Sequence, residues 1–192
     1  MITDYRTKVL FLLFVLFVIF LGTFGTLITI PVLLLVIVVL STFATTFYGS
    51  GWTPSSRQSI ERILKEIRPK KGDIIYDLGS GDGRFVIAAA KQTNAKIIGL
   101  EIDFFKWLMS SLAIKIKGLG NAKIIRKNFF TYNFHDADII FIYLPQPTVD
   151  RLQERLKKLR KGTLIVTNKI KCKSLKLTKE LKPEKIYIYS TK

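Results

Sequence analysis

The sequence predicts an α/β protein with a mostly parallel sheet of about seven strands, preceded by an apolar segment that crosses a membrane. No charged side chain occurs between Val9 and Phe47, and only one unit of the formal net charge of +17 lies in residues 1–50, which leaves +16 on the rest. Beyond residue 50, short β-rich runs alternate with helical runs, which is the pattern of βαβ units. We therefore expect a transmembrane segment over residues 1–48 and a basic soluble domain over residues 49–192.

The apolar segment is about twice as long as one crossing requires, since a spanning helix needs roughly 20 residues. The stretch GTFGT at residues 22–26 predicts a tight turn, and hence a hairpin of two helices over residues 8–21 and 27–47. One long tilted helix is the alternative. Basic flanking residues favour the cytoplasm, and a hairpin keeps Arg6, Lys8 and the soluble domain on that side. We expect a membrane protein whose catalytic domain faces the cytoplasm.

The elements of the soluble domain follow from their patterns. Ser55 or Ser56 can cap a helix whose apolar residues recur at three- and four-residue intervals up to Pro69. Apolar β-rich runs then predict five buried strands: DIIYDLG, KIIGLEI, AKIIRKN, ADIIFIYLP and TLIVTNKI. Helical patterns follow the first, second and fourth strands: GRFVIAAAKQ, FFKWLMSSLAIKIKGLG and TVDRLQERLKKLRKG. The tail KIKCKSLKLTKELKPEKIYIYS predicts one or two edge strands.

Three glycines occupy the turn after the first strand, in YDLGSGDGRF. Gly79, Gly81 and Gly83 stand at alternate positions shortly after Asp77. Ligands of open α/β sheets bind beyond the carboxyl ends of the strands, and glycine lets the backbone turn tightly and lie against a ligand. The spacing differs from the dinucleotide fingerprint G-x-G-x-x-G, whose third glycine would fall on Arg84.

The stretch DLGSGDG resembles the first motif of the class I S-adenosylmethionine-dependent methyltransferases, and Glu101 ends the second strand where that family has an acidic residue. The resemblance implies a Rossmann-like sheet and S-adenosylmethionine as the cofactor. It implies that the glycines pass the methionine part, that Asp77 engages the ammonium group, and that Glu101 accepts hydrogen bonds from both ribose hydroxyls. Asn128 and Phe129, in RKNFF, are expected near the adenine.

From Trp52 to Asn168 the chain is similar to membrane-anchored protein-lysine methyltransferases, including those that modify the ATP synthase c subunit and the adenine nucleotide translocase. The similarity is carried by the upstream apolar segment and by WTPSS, DLGSGDGRFVIAAAK and IIFIYLPQPTVDRLQERLKKL. It implies methyl transfer to a lysine of a protein at the membrane. The segment TNKIKCKSLKL, after the fifth strand, departs from those relatives.

The loop YLPQP after the fourth strand is expected to border the substrate slot, with Tyr143 and Pro145 positioning the amine. A strand end followed by a proline-stiffened turn gives the same residues. The loop lacks the Asn/Asp-Pro-Pro-aromatic motif of nucleic-acid amine methyltransferases, which disfavours a nucleic-acid substrate. A lipid or small-molecule methyltransferase is the alternative enzyme, and a non-catalytic S-adenosylmethionine-binding membrane protein is the alternative outside enzymes.

The charge predicts a further partner. A domain of this net charge beside a membrane is attracted to anionic lipid headgroups, and RNA is the alternative partner for the same charge. The lysines at 169, 171 and 173 alternate with Ile170 and Cys172, as on an edge strand, where lysines also oppose aggregation. His135 and Cys172 have no partners at ligand spacing, so we expect no metal site.

Overall fold

The computed structural model describes residues 2–47 and 55–191, with side chains over 9–39 and 55–191. The chain divides into two compact units, Met1–Leu40 and Ser41–Lys192. The domain boundary expected at residues 48 and 49, and the first three residues of WTPSS, lie outside the described residues.

One continuous helix, α1 (Ile2–Phe47), stands where a hairpin was predicted. The expected turn at residues 22–26 is helical. Thr23 Oγ1 donates to the carbonyls of Ile19 and Phe20 at 2.9 and 3.0 Å, and Thr26 Oγ1 donates to the carbonyl of Thr23 at 2.9 Å. Because both hydroxyls are satisfied within the helix, and a glycine inside a helix costs only about 1 kcal/mol, GTFGT does not interrupt it. The hairpin prediction is wrong, because the structure has one continuous helix over these residues.

Within α1, the apolar stretch Val9–Val39 is long and apolar enough to cross a membrane, by length and composition. At 1.5 Å per residue these 31 residues extend over about 46 Å, which exceeds a hydrocarbon core of about 30 Å. A helix longer than the hydrocarbon core is accommodated by tilting, kinking or local thickening of the bilayer.

In the described part of the chain, seven strands form one sheet in the order β3-β2-β1-β4-β5-β7-β6. The first five strands pair in parallel, and β7 runs antiparallel to both β5 and β6. The mostly parallel sheet predicted from the sequence is confirmed. The strands are β1 (Ile74–Leu78), β2 (Lys96–Glu101), β3 (Ala122–Arg126), β4 (Ile139–Ile142), β5 (Leu164–Asn168), β6 (Leu177–Leu181) and β7 (Ile186–Ser190).

Residues 55–191 contain four helices: α2 (Arg57–Ile67), α3 (Arg84–Gln92), α4 (Phe104–Ile116) and α5 (Gln146–Lys157). Ser56 Oγ caps α2 by accepting a hydrogen bond from the N–H of Ser59 at 3.1 Å, as predicted. Asp103 Oδ1 caps α4 by accepting from two N–H groups of its first turn at 2.9 and 3.0 Å. Each cap satisfies N–H groups that a helix start leaves without partners.

Buried apolar side chains cover both faces of the sheet. One layer packs α2 and α3 against it, with Ile63 and Phe85 among its buried members. The other layer contains α5, with Leu152 and Leu156 fully buried. Successive residues of a strand point to opposite faces, so Asp77 lies on the same face as Ile75, the face covered by α2 and α3.

The segment from Lys169 to Lys173 is a loop, so the edge-strand interpretation of its three lysines is wrong. Backbone groups that an edge strand would pair are taken by side chains. Tyr189 Oη accepts a hydrogen bond from the N–H of Cys172 at 2.9 Å, and Thr167 Oγ1 donates to the carbonyl of Ile170. The edge strand at this end of the sheet is β6, which begins after this loop.

Candidate active site

The turn between β1 and α3 is built from the three glycines. Gly79, Gly81 and Gly83 have φ angles of 80°, 56° and 76°, in the left-handed region that favours glycine. The N–H of Gly79 donates to the carbonyl of Leu100 at 2.9 Å, so the loop crosses the carboxyl end of β2. A Cβ on Gly79 would lie 2.8 Å from Leu144 Cδ2, a clash. The loop therefore lies at the carboxyl edge of the sheet with Gly79 and Gly81 partly exposed, whereas Gly83 is buried against Ser110 and Ile124.

Glu101, the last residue of β2, holds this loop in place. Its Oε2 accepts a hydrogen bond of 2.7 Å from the N–H of Gly81. Its Oε1 accepts from the N–H groups of Ile102 and Asp103 at 2.9 Å each. A carboxylate offers about four lone-pair positions, so one position, on Oε2, remains for a ligand.

Asp77 is a buried acid without a counter-charge. Its side chain is 3% exposed and makes no hydrogen bond or ion pair within the part of the chain that the structure describes. Burial, reinforced by the negative charges of Glu101 and Asp82, raises the pKa of this carboxyl well above its ordinary value. An organic cation bound beside Asp77 would relieve this unfavourable electrostatics.

Asn128 and Phe129 lie in the turn after β3. Asn128 Oδ1 accepts a hydrogen bond from the N–H of Phe130 at 2.9 Å, which closes the turn. Phe129 is buried, and its ring adjoins the glycine loop, since a Cβ on Gly79 would lie 3.8 Å from its Cε1. The fold therefore brings the turn after β3 against the turn after β1.

Arg155, on α5, fixes this turn and was not predicted from the sequence. Its Nη1 donates to the carbonyl of Phe129 at 2.5 Å and its Nη2 to the carbonyl of Tyr132 at 2.6 Å. Its guanidinium lies 4.5 Å from the centroid of the Phe134 ring. In the sequence, an arginine in an amphipathic helix is indistinguishable from a solvated surface residue.

Tyr143 and Pro145 lie between β4 and α5, as expected. Tyr143 is half-buried, and Lys169 Nζ lies 5.8 Å from the centroid of its ring. Pro145 is the N-cap of α5, and its carbonyl accepts hydrogen bonds from the N–H groups of Thr148 and Val149 at 3.0 and 3.1 Å. Pro145 thus starts a helix directly after the strand end.

Asn168, the last residue of β5, was not singled out from the sequence. It is 1% exposed; its Nδ2 donates to Ser55 Oγ at 3.3 Å, while its buried Oδ1 has no hydrogen-bond partner among the described residues. Because Ile142 pairs with Thr167, Asn168 and Tyr143 are next to each other at the carboxyl edge. In the sequence, the feature that could have indicated Asn168 is its place as a polar residue at the end of the apolar strand LIVTN.

The described residues contain no group of three His, Cys, Asp or Glu side chains arranged to hold a metal ion. His135 is exposed on a loop. Cys172 is buried, and burial raises the pKa of its thiol to about 12.

Comparison with known proteins decides the family. The model of the family described as "ANTKMT methyltransferase domain" matches residues 77–179, just over half of the chain. The chain belongs to this family. It is 32% identical over 120 residues to a protein-lysine N-methyltransferase of Saccharolobus islandicus. The aligned region covers 61% of this chain and 74% of that protein.

Another relative of this ANTKMT-family protein is the human lysine N-methyltransferase named for the ATP synthase c subunit. The two are 28% identical over 109 residues, which cover 56% of this chain and 46% of the human protein. The match thus spans less than half the length of the human enzyme.

Solved structures agree with the family. An RNA methyltransferase from Salinibacter ruber, in complex with S-adenosyl-L-homocysteine, has a TM-score of 0.67 at 26% identity over 72% of this chain and 92% of that chain. A SAM-dependent methyltransferase from Aquifex aeolicus has a TM-score of 0.55 at 16% identity, covering 68% and 88% of the two chains, and shows the fold alone. The ANTKMT-family domain is therefore a Rossmann-like methyltransferase that uses S-adenosylmethionine, as the sequence predicted.

Proposed function

We propose that this ANTKMT-family protein methylates a lysine side chain of a protein at a membrane. The observation that carries the choice of lysine is the 32% identity to a protein-lysine N-methyltransferase across 74% of that relative. The apolar helix α1 supports the choice of a membrane. The arrangement at the carboxyl edge of the sheet supports the chemistry, as follows.

The residues at the glycine loop fit the cofactor, which supplies an electrophilic methyl group on a sulfonium when bound. Asp77 would neutralise its ammonium group, because the carboxyl is buried without a counter-charge. Gly79, Gly81 and Gly83 would let it lie against the backbone. Glu101 keeps one acceptor position on Oε2, enough for one ribose hydroxyl while Gly81 stays bonded. Accepting from both hydroxyls, as the resemblance implies, requires one of the three N–H groups that bond Glu101 to release the carboxylate.

The adenine would lie against the turn after β3. Asn128 Oδ1 is already occupied by the N–H of Phe130, so its Nδ2 is the group available to donate to a ring nitrogen. The Phe129 ring, beside Gly79, would supply an apolar wall.

The amine would be positioned by residues that end β4 and β5. A lysine amine has an ordinary pKa of about 10.4 and must lose its proton before it attacks, which an apolar slot favours. Asn168 Oδ1 is a buried acceptor in need of a donor, and an amine N–H would supply one. Tyr143 would form a wall of the slot, and Pro145 would fix the strand end that carries it. With the amine held about 3 Å from the methyl carbon, alignment supplies much of the rate.

The helix α1 would anchor the protein with a single crossing. Arg57, Arg62 and Lys65 follow the helix, whereas Arg6 and Lys8 lie in its first turns, before the apolar stretch Val9–Val39. This excess of basic residues on the domain side favours a cytoplasmic domain. The active site would then work on lysines that emerge at the cytoplasmic surface of the membrane.

The test is to incubate the purified full chain with methyl-tritiated S-adenosylmethionine and host membranes, with Glu101→Ala as the control, and then to separate proteins, lipids and RNA. We expect label in a protein band that hydrolyses to methylated lysine, and none with the variant. Label in the lipid or RNA fraction would overturn the lysine assignment, and label in no fraction would overturn the membrane substrate.

A further inference from the structure

The helix α4 exposes an apolar stripe. Among the described residues outside α1, six large apolar side chains are exposed, and five of them lie on α4. The most exposed are Met109 at 64% and Ile116 at 75%. At 3.6 residues per turn the five occupy an arc of about 140° on one side of the helix. The stripe consists of Phe104, Leu108, Met109, Leu112 and Ile116.

The same segment is basic throughout. Residues 104–127, which run from the start of α4 to just past β3, contain six lysines and arginines and no aspartate or glutamate. Around the helix, Lys115 lies near one edge of the stripe, and Lys106 and Lys117 lie beyond the other edge. Arg126 lies 5.2 Å from the centroid of the Phe104 ring at one end of the stripe. The remaining basic residues of the segment are Lys123 and Lys127.

We propose that the stripe and the six basic residues form a docking face, which we term the α4–β3 face, for an anionic lipid bilayer. An amphipathic helix lies in the membrane interface when apolar side chains enter the acyl boundary and flanking cations contact the headgroups. Both features are present here, and the absence of acids from residues 104–127 removes repulsion from lipid phosphates. The inference rests on the proposed membrane attachment for its setting, but not on the identity of the methyl acceptor.

A bilayer fits the face better than a nucleic acid does. A nucleic acid would pair with the cations but would leave five large apolar side chains uncovered. A bilayer covers both, and α1 in the same chain is long enough to hold the domain at one. Because α4 starts shortly after β2 ends at Glu101, docking would hold the carboxyl edge of the sheet near the headgroups.

The test uses the full chain in nanodiscs of phosphatidylcholine with or without about one third phosphatidylglycerol. Met109→Cys carries an environment-sensitive fluorophore on the stripe, and Lys91→Cys, exposed on α3, carries the same probe as the matched control. Cys172 is buried with a thiol pKa of about 12, so the unsubstituted chain serves as the unlabelled blank. Spin-labelled lipid quenches probes that enter the bilayer.

We expect the probe at 109 to be quenched at least twofold in anionic nanodiscs and the probe at 91 to be unaffected. The triple variant Lys115→Glu/Lys117→Glu/Lys123→Glu should abolish the quenching while the chain still co-elutes with the nanodisc through α1. If the probe at 109 stays unquenched in the chain without the lysine substitutions, although that chain co-elutes with anionic nanodiscs, the docking is overturned. The same probe is also measured in detergent without lipid. If it becomes less accessible to solvent as the protein concentration rises, the face binds a second copy of the chain, and the docking to lipid is overturned. Tritium transfer to protein lysine is measured in a separate assay, so that failure of the docking and failure of the proposed function can be told apart.

Discussion

The backbone N–H of Gly81 donates a 2.7 Å hydrogen bond to Oε2 of Glu101, so the residue that ends β2 holds the loop that follows β1. The same carboxylate accepts from Ile102 and Asp103. Glu101→Ala leaves three N–H groups without this acceptor, so we expect unfolding to become easier by about 1–3 kcal/mol. Affinity for S-adenosylhomocysteine should fall at least about 100-fold, or about 2.7 kcal/mol. Titration calorimetry and thermal unfolding measure the two effects.

The matched control is Glu154→Ala, which removes an acid whose ion pair with Lys157, at 2.7 Å, lies on the surface of α5. We expect neither quantity to change appreciably, since exposed pairs contribute about 0–1 kcal/mol. An affinity in Glu101→Ala equal to that of the control would contradict the proposed role of Glu101.

Asp77→Asn should stabilise the ligand-free protein while it weakens cofactor binding. The pKa of Asp77 is raised in the folded state, chiefly by burial. Between about pH 4, where the unfolded chain loses this proton, and the raised pKa of the folded state, the folded protein keeps it, so this carboxyl makes stability fall as pH rises through that range. The asparagine side chain does not titrate. The free energy of unfolding of the variant should therefore exceed that of the unsubstituted protein by an amount that grows with pH, to about 1–3 kcal/mol.

Urea unfolding of both proteins between pH 5 and 8 measures this difference, and calorimetry measures the affinity. The variant should gain stability and lose at least about tenfold in affinity, a stability–function trade-off typical of binding sites. A stability difference that does not change with pH would contradict the buried, uncompensated charge.

Gly79→Ala should destabilise the protein more than Gly72→Ala does. Both glycines have positive φ, 80° and 96°, so each substitution adds backbone strain of about 1–2 kcal/mol. Only at position 79 does the new Cβ meet Leu144 Cδ2, at 2.8 Å; at position 72 nothing lies within 4 Å. Because the end of the Leu144 side chain can shift, we expect a further loss of about 1 kcal/mol, with weaker cofactor binding, at position 79 alone. Equal losses in the two variants by chemical denaturation would refute the clash.

Arg155→Lys tests whether α5 holds the turn that carries Phe129. Lysine keeps the charge but cannot make two N–H bonds in the fork geometry that reaches the carbonyls of Phe129 and Tyr132. We expect stability to fall by about 1–3 kcal/mol and cofactor affinity by roughly tenfold. Arg151→Lys is the control, since Arg151 is exposed and stacks on Phe130 at 4.4 Å. Loss of stability without loss of affinity would limit Arg155 to a structural role.

The sheet and its glycine turn were predictable from the sequence because both depend on local patterns. Apolar runs specify buried strands, and glycine at three alternate positions specifies left-handed backbone between β1 and α3. The long helix was mispredicted because glycine and threonine signal turns in water. In α1 the hydroxyl of Thr23 bonds back to the helix instead, with carbonyls of Ile19 and Phe20 as acceptors.

Other parts of the site depend on contacts between distant segments. Arg155 reaches the carbonyl of Phe129 across 26 positions, and Asn168 reaches Ser55 across 113. No periodicity or spacing reports such a contact. The loop from Lys169 to Lys173 was mispredicted for the same reason, because Tyr189 takes the N–H of Cys172 only once β7 is in place.

Asn168→Ala should lower methyl transfer while leaving cofactor binding unchanged. If Asn168 Oδ1 accepts a hydrogen bond from the amine, its removal misaligns the amine, and we expect kcat to fall about 10–100-fold with little change in KM, the signature of an interaction needed for alignment. Asn168→Asp keeps an acceptor oxygen, so it should retain more activity than alanine. The assay is tritium transfer to the labelled membrane protein, beside calorimetry with S-adenosylhomocysteine.

The competing explanation is structural, because Asn168 Nδ2 also bonds Ser55 Oγ at 3.3 Å. Ser55→Ala removes that bond but leaves Oδ1 in place, which makes it the matched control. A positioning role predicts that Ser55→Ala keeps most of kcat, whereas a packing role predicts equal losses in both variants. Equal losses of kcat, accompanied by equal losses of thermal stability, would assign Asn168 to the fold and not to the amine.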